Sequence, residues 1–329
     1  MSKVRVGLIG CGNIAAGHAR RLLNTPEAQL VALCDIDPKA FGWLRERVPE
    51  LPDLPKFADY REMLGTVALD AVQVLTPHTL HFEHIMNSLD RGLHVLTEKP
   101  MVCTSEHART VIETRRKAGK VVLVSYQRRY QDNFRFIRDL LTNGQMGEIQ
   151  YVSALLGQDW LNRTQGKWRQ DPALSGGGQL NDSGSHLLDI ILWATGVEPE
   201  TVYASIENFG ARVDINTALS ARCTNGALLN IAVLGNSAEW CDDMTFWAEN
   251  GVIYYRNGQV KAKLRNQKEE LTPPTQADPG NPDRNFIAAI LGKDTVKSPP
   301  EDALRVALLT EAIWRSAETG SPENIVWDA

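Results

Sequence analysis

The chain has 329 residues, which is enough for about two domains of ordinary size. Its hydrophobic share of 43% and charged share of 23% are typical of a globular protein, and a net charge of −5 gives no electrostatic reason to expect nucleic acid or an anionic membrane as a partner. Five widely spaced cysteines without a CxxC pair indicate neither a disulfide framework nor a zinc site. We see no signal peptide and no apolar run of membrane-spanning length, so we expect a cytoplasmic protein.

A glycine-rich loop follows the first predicted strand. Residues 10–15 have the pattern GxGxxA, a variant of the dinucleotide-binding fingerprint. Gly10 allows the tight turn, Gly12 lets the backbone approach a pyrophosphate, and the alanine in third place keeps the following helix close to the strand. Asn13 and Ile14 open that helix, whose N-terminus faces the phosphates. The loop therefore predicts a dinucleotide site.

An acidic residue stands where the dinucleotide fingerprint needs one. The next predicted strand, residues 30–34, ends directly before Asp35, and an acidic residue at about this distance binds the ribose hydroxyls of NAD. Asp35 should repel the 2′-phosphate of NADP, and no arginine follows it directly. We expect NAD as the cofactor, with NADP as the alternative because Lys39 lies nearby.

Strands and helices alternate through residues 1–126, which predicts a doubly wound parallel sheet of the Rossmann type. Three loops follow strands and should share the edge where ligands bind: residues 10–15, residues 76–78 and residues 98–100. In the last of these loops, Lys99 lies between Glu98 and Pro100, directly after a buried strand. A capping ion pair on the surface is the alternative interpretation of this segment.

Three histidines, His78, His81 and His84, recur at a spacing of three in the helix that follows residues 76–77. This spacing spreads the side chains around a helix instead of bringing them to one point, so we expect no metal site. Polar contacts near the nicotinamide and a solvated surface are the two remaining interpretations.

Residues 127–329 predict a second domain with a different architecture. Three Asn-Gly dipeptides lie between apolar or alternating segments and indicate hairpins of a large, mostly antiparallel sheet. One face of such a sheet can stay open and form a subunit interface. We predict a helix over 128–141 ahead of the sheet, and the closing segment 301–329 could pack back on the first domain.

The segment 176–186 is the chemically richest part of the second half. Asp182 or Ser183 is a natural N-cap for the helix that follows, and Asp182 and His186 are four residues apart, so one carboxylate can orient one imidazole. A helix cap and a satisfied core histidine form the alternative. Asp189 would add a carboxylate, but no further metal ligand is evident.

Aromatic and arginine side chains gather at 160–169 and at the predicted domain junction. Indole faces suit the C–H surfaces of sugars, and arginine side chains suit hydroxyls or a carboxylate, although packing in a core or interface is the alternative for the tryptophans. The candidates for substrate contact are Tyr126, Arg128, Trp160, Arg163, Trp168, Arg169, Asp182 and His186.

The glycine loop, Thr76-Pro77 followed by His81, Glu98-Lys99-Pro100 and the run from Asp182 to His186 resemble the Gfo/Idh/MocA family of sugar and cyclitol dehydrogenases. The resemblance implies a Rossmann domain joined to an open-faced sheet, a homodimer or homotetramer built on that sheet, and NAD(P)-dependent oxidation of a sugar hydroxyl. It also implies that Lys99, Asp182 and His186 form the catalytic set, with His186 as the acid/base. The expected cofactor contacts are Gly10, Gly12, Asn13, Ile14, Asp35, Thr76, Pro77, His81, Glu98 and Lys99.

Two other functions fit the same residues. One is an NAD-dependent glycosidase or lyase that oxidises its substrate transiently and regenerates its own cofactor. The other is a non-catalytic regulator that senses NAD on the same fold.

Overall fold

The structure is a computed structural model that describes residues 3–265, 267–274 and 280–327. Along these ranges no helix combines the length and the apolar character that crossing a membrane would require. Short 3₁₀ turns cover His78–Leu80, Gln127–Tyr130 and Trp168–Gln170, and a π-helical turn covers Leu180–Gly184. The α-helices are α1 (Ala15–Leu23), α2 (Lys39–Arg47), α3 (Tyr60–Thr66), α4 (His81–Asp90), α5 (Ser105–Ala118), α6 (Asp132–Thr142), α7 (Trp160–Thr164), α8 (Pro172–Ser175), α9 (Ser185–Thr195), α10 (Pro282–Ile290) and α11 (Pro300–Thr319).

The strands belong to two sheets. They are β1 (Val4–Ile9), β2 (Ala28–Cys34), β3 (Lys56–Phe57), β4 (Ala71–Val74), β5 (His94–Thr97), β6 (Val122–Val124), β7 (Ile149–Asp159), β8 (Pro199–Glu207), β9 (Asn216–Cys223), β10 (Leu228–Leu234), β11 (Asn236–Ala248), β12 (Gly251–Arg256), β13 (Gln259–Leu264) and β14 (Glu323–Asn324).

The first sheet has the strand order β3-β2-β1-β4-β5-β6, and all of its pairs are parallel. Its central strands are buried on both faces, as the continuous apolar runs in the sequence predicted. The order reverses between β1 and β4, and ligands of such sheets bind at the carboxyl ends of the strands beside that point. The glycine loop follows β1 and Thr76 follows β4, so both lie at this edge.

The second sheet has the order β13-β12-β11-β7-β10-β9-β8-β14, in which only β7 and β10 pair in parallel. Buried and exposed residues alternate along β9 and most of β8, so one face is covered and the other is open. The predicted fold class, a Rossmann sheet plus a large mostly antiparallel sheet, is confirmed. The short strand β14 at its edge was not predicted.

The chain divides into two compact units, and each unit is made of three segments of the chain. The first unit takes its described residues from 1–102, 106–127 and 280–303, and the second takes them from 103–105, 128–279 and 304–329. Phe286 and Ile287 of α10 belong to the core around β1, and the amide of Val124 bonds to the carbonyl of Ser298 at 3.0 Å. The segment that returns to the first unit is therefore 280–303, whereas the sequence suggested 301–329.

Two predicted helix boundaries need correction. The helix expected over 128–141 is a 3₁₀ turn followed by α6, because Gln131 is extended at φ −82° and ψ 138°. Asp182 is no N-cap, since it lies inside the π-helical turn, which continues into α9 through helical dihedrals at Gly184. The carboxylate of Asp214 takes the capping role, with its two oxygens accepting the amides of Gly178 at 2.9 Å and Leu180 at 2.7 Å.

Gly178 lets this capping arrangement form. A Cβ atom at this position would lie 1.9 Å from the carbonyl oxygen of Asp214 and 2.7 Å from its nitrogen. Both of these atoms are backbone, which cannot move aside as a flexible side chain can. The glycine therefore permits the close approach that places the π-helical turn.

We expect Gly178→Ala to destabilise the protein by about 1–3 kcal/mol or more, the usual range for overpacking a closed site. Gly42→Ala is the matched control, because Gly42 is exposed in α2 and an added Cβ would meet no atom within 4 Å. That control should leave the free energy of unfolding unchanged or raise it by up to about 1 kcal/mol, since alanine has a higher helix propensity than glycine. Urea unfolding of both variants measures the difference, and equal stability of the two would contradict this packing.

Candidate active site

The glycine loop of the first unit is hydrogen-bonded to the end of β2 on one side and packs closely against the end of β4 on the other. Gly10 adopts a φ of 97°, and a Cβ there would lie 2.7 Å from the carbonyl oxygen of Leu75 at the end of β4. The amide of Gly10 bonds to the carbonyl of Cys34 at 2.8 Å, and the amide of Cys11 bonds to Oδ2 of Asp35 at 2.7 Å. The loop is therefore pressed against both neighbouring strands in the shape that a dinucleotide requires.

The surface of this loop fits a pyrophosphate. Gly12, Asn13 and Ile14 are exposed, and a Cβ at Gly12 would meet nothing within 4 Å, so the main chain is open to a ligand on that side. Helix α1 begins at Ala15, which is buried against the sheet, and its first turn carries no acidic residue. The positive end of the helix dipole is therefore available to an anion.

Asp35 is half-buried and is held in place by two backbone amides. Its Oδ2 accepts the amide of Cys11, and its Oδ1 accepts the amide of Asp37 at 2.9 Å. A carboxylate has about four acceptor positions, so two ribose hydroxyls can still bind to it. A fixed negative charge at this place favours NAD over NADP.

The three histidines are buried, so the solvated surface expected as one alternative is excluded. The ring nitrogens of His81 lie 2.8 Å from the carbonyl oxygens of Thr76 and Pro100, and His84 Nδ1 lies 3.0 Å from Oγ1 of Thr76. Burial lowers the pKa of His81, and it lowers the pKa of His84 to about 4, so both favour the neutral form. His81 thus connects the loops that follow β4 and β5. The contacts of His81, Thr76 and Pro77 with the cofactor stay predictions.

Glu98 is buried and bonds inside the protein, where the sequence predicted a contact with the cofactor. Its Oε1 lies 3.0 Å from Nε2 of His18, and its Oε2 accepts the amide of Lys99 at 3.3 Å. Lys99 is half-buried, and the peptide bond between Lys99 and Pro100 is cis. Glu98 is therefore engaged in fixing the strand end that carries Lys99.

In the second unit, Asp182 is held by two of the residues that the sequence placed in a substrate pocket. Its Oδ2 accepts bonds from Nε1 of Trp160 and Nε of Arg169, each at 2.9 Å. Trp160 is buried, and the guanidinium of Arg169 lies over the ring of Trp168 at 4.4 Å from its centroid. These residues orient the candidate catalytic carboxylate, and their contact with a substrate stays a prediction.

His186 is the second residue of α9 and is half-buried. Asp189, one turn further along, is buried and forms an ion pair with Arg129, whose Nε bonds to its Oδ2 at 3.0 Å. Asp189 therefore has a structural partner of opposite charge. Within the described residues no group of three or more His, Cys, Asp or Glu side chains is arranged to hold a metal ion.

The remaining predicted substrate residues differ in their surroundings. Arg128 forms an ion pair with the buried Asp242, with Nη2 and Oδ2 2.9 Å apart. To bind a substrate as predicted, Arg128 would have to give up this ion pair. Tyr126 is buried in the first unit, and Arg163 is exposed. Their contacts with a substrate stay predictions.

Sequence reasoning missed two acidic residues that shape these sites. Asp214 caps the turn that carries Asp182, and Asp283 bonds to His18 at 2.8 Å. Asp283 follows Pro282 at the start of a helix, where a carboxylate in the first turn is ordinary. No local pattern distinguishes either residue.

Comparison with known proteins identifies the family. Residues 4–126 match the model of the oxidoreductase family with an NAD-binding Rossmann fold, and residues 134–254 match that of the GFO/IDH/MocA C-terminal domain. The two matches follow each other in the chain and cover most of it. The chain belongs to the Gfo/Idh/MocA family.

Similar proteins include D-glucoside 3-dehydrogenase of Escherichia coli (strain K12), which is 26% identical over 97% of this chain and 97% of its own. Inositol 2-dehydrogenase of Burkholderia multivorans is 28% identical over 61% of this chain and 58% of its own length. The structure of levoglucosan dehydrogenase in complex with NADH has a TM-score of 0.88 at 19% identity, over 99% of this chain and 100% of that one, which shows a common fold. The chain is accordingly a dehydrogenase with an NAD-binding Rossmann domain, which confirms the predicted class of enzyme and cofactor.

Asp35→Ser should weaken NAD binding by about tenfold or more, because hydrogen bonds to a charged group contribute roughly 1.5–3 kcal/mol. It should also reduce the preference for NADH over NADPH, which a fluorescence titration with both nucleotides measures. Asp37→Ser removes the same charge two residues away, from an exposed carboxylate that accepts the amide of Lys39, and should leave the preference unchanged. An unaltered preference in Asp35→Ser would contradict the assignment.

Proposed function

We propose that this protein transfers a hydride between a secondary hydroxyl of a sugar, a sugar derivative or a cyclitol and NAD. The observation that supports this most strongly is the full-length similarity to D-glucoside 3-dehydrogenase, which spans 97% of both chains. Inositol 2-dehydrogenase acts on a cyclitol, as its name states, and extends the substrate class. The ordered carboxylate of Asp182, one turn before His186, supplies the matching chemistry.

The proposed roles follow from the side chains. Bound NAD would supply the hydride acceptor. His186 accepts the proton of the hydroxyl, and the ammonium of Lys99 stabilises the negative charge that develops on the oxygen. Asp182, which Trp160 and Arg169 keep in one orientation, holds the imidazole in the tautomer that can accept a proton.

A panel of aldoses, glycosides, polyols and cyclitols, each with NAD and with NADP, tests the proposal. We expect the absorbance of the reduced cofactor to rise in proportion to a product that is two hydrogens lighter than its substrate. Cleavage of a glycoside without net reduction of NAD would instead establish the glycosidase alternative. Binding of NAD without turnover of any compound would favour the regulator.

His186→Ala should lower turnover at least ~10²-fold, because general acid–base catalysis contributes roughly 10²–10⁴ in rate. Binding of NAD should stay within about twofold, since the nucleotide contacts lie on the glycine loop and Asp35. His107→Ala, a change of the same kind in α5, is the control and should retain wild-type turnover. Full activity of His186→Ala would contradict the assigned role.

The open face of the second sheet is the proposed interface of a homodimer or homotetramer. Leu228 and Trp247 both pair with Tyr151 of β7, and Tyr203 pairs with Ser220 of β9, so the strand registers place all three side chains on this face. Each of the three is more than 40% exposed. Large apolar side chains exposed on one open face of a sheet are typical of an interaction surface. Two copies of the chain can cover each other there.

Leu228→Arg should therefore convert the oligomer to a monomer, because the new guanidinium lies opposite Arg222 in the strand register, adds a like charge to the covered face and loses its hydration without gaining a partner. Size-exclusion chromatography with light scattering measures the mass, which we expect to be a multiple of 36.5 kDa for the wild type. Val326→Arg, at an exposed valine outside this sheet face, should keep the wild-type mass. A monomeric wild type would contradict the proposal.

A further inference from the structure

An ion cluster surrounds a fully buried histidine on the helix that follows the glycine loop. His18 of α1 has no exposed surface, and its two ring nitrogens face two carboxylates. Nδ1 lies 2.8 Å from Oδ1 of Asp283, and Nε2 lies 3.0 Å from Oε1 of Glu98. Asp283 also accepts a bond from Nε2 of Gln73 at 2.8 Å and forms an ion pair with Arg21.

The two contacts of His18 require a doubly protonated ring. An ionised carboxylate can only accept hydrogen bonds, so each ring nitrogen must donate one, and only the imidazolium has both donors. Burial opposes the charged form, but Asp283 and Glu98 prevail and raise the pKa of His18 to about 9. Burial likewise favours the neutral form of Glu98, yet the bond from His18 and the charge of Lys99 hold its pKa at about 2. The cluster is therefore ionic at neutral pH.

This cluster links the nucleotide loop to the main chain of Lys99. One oxygen of Glu98 meets His18, and the other accepts the amide of Lys99 at 3.3 Å. His18 itself is on α1, which begins directly after the glycine loop. The second contact of His18, to Asp283, leads to α10.

We infer that His18 is a positioning residue for Lys99, which acts by holding Glu98 and thereby the backbone of Lys99 in register with the nucleotide-binding helix. The contact with Asp283 serves stability alone. The inference rests on the proposed function only in that Lys99 takes part in catalysis.

Two substitutions separate the two contacts of the ring. In His18→Asn the side-chain amide nitrogen falls near the position of Nδ1, so the bond to Asp283 can persist while the bond to Glu98 is lost. In His18→Gln the side-chain amide nitrogen falls near the position of Nε2, so the bond to Glu98 can persist while the bond to Asp283 is lost. Both variants remove the same buried charge, and each is the control for the other.

We expect kcat to fall about tenfold or more in His18→Asn and to stay within about threefold of wild type in His18→Gln, a difference of about 0.7 kcal/mol or more in activation free energy. Both variants should melt at a lower temperature than wild type. A purely structural histidine would instead lower kcat equally in both, and that result would overturn the inference.

A spectroscopic readout tests the positioning without any turnover. In protein labelled with ¹⁵N-lysine, the amide resonance of Lys99, assigned through Lys99→Arg, should move in His18→Asn and stay in place in His18→Gln. If the wild type proves to have no dehydrogenase activity, the proposed function fails while this measurement still decides the inference. An unmoved Lys99 resonance in His18→Asn would overturn it.

Should neither variant fold, the ring nitrogens of histidine in the wild type still test the ionic contact with Glu98 on which the inference depends. We expect one imidazole to remain doubly protonated at pH 8. The stabilisation from this charge is complete below pH 6.5, the ordinary pKa of histidine, and is lost as the pH rises through about 9. A set of histidines that are all neutral at pH 8 would overturn the inference.

Discussion

The closed glycine loop is the constraint on which the rest of the first unit depends. Gly10 can lie against the carbonyl of Leu75 only because it lacks a Cβ, and Asp35 fixes the next amide through a charged hydrogen bond at 2.7 Å. These two contacts join β1 to both of its neighbours at the point where the strand order reverses. In the assignment that we propose, the carboxylate that closes the loop also sets the preference for NAD, which gives the shape and the selectivity of the site one origin.

Buried carboxylates serve the same purpose elsewhere in the molecule, because each fixes a main chain that carries a candidate functional residue. Glu98 holds the amide of Lys99, and Asp214 holds the amides that begin the turn around Asp182. Burial raises the pKa of Asp214, yet its two amide bonds and the indole N–H of Trp314 support the charge. Charged hydrogen bonds of this kind are stronger than neutral ones and keep a backbone in one place.

The sequence predicted those features that depend on neighbouring residues. The parallel sheet, the glycine loop and the place of Asp35 directly after the second strand all follow from short patterns, and each is present in the structure. The cap of the turn around Asp182 was assigned to the wrong residue, because Asp214 lies 36 positions from Gly178. His18 and Asp283 are 265 positions apart, and Arg128 meets Asp242 across 114, so no local pattern could indicate either pair. Long-range ionic contacts are thus what the sequence left unknown.

The most direct test of the proposed chemistry follows the hydrogen itself. A glycoside or cyclitol that is turned over is prepared with deuterium on its ring carbons, incubated with the protein and NAD, and the reduced cofactor is analysed by mass spectrometry. Direct oxidation of a secondary hydroxyl predicts one deuterium in each molecule of NADH formed. A reduced cofactor without deuterium, or deuterium returned to a cleaved sugar with no NADH released, would contradict the account.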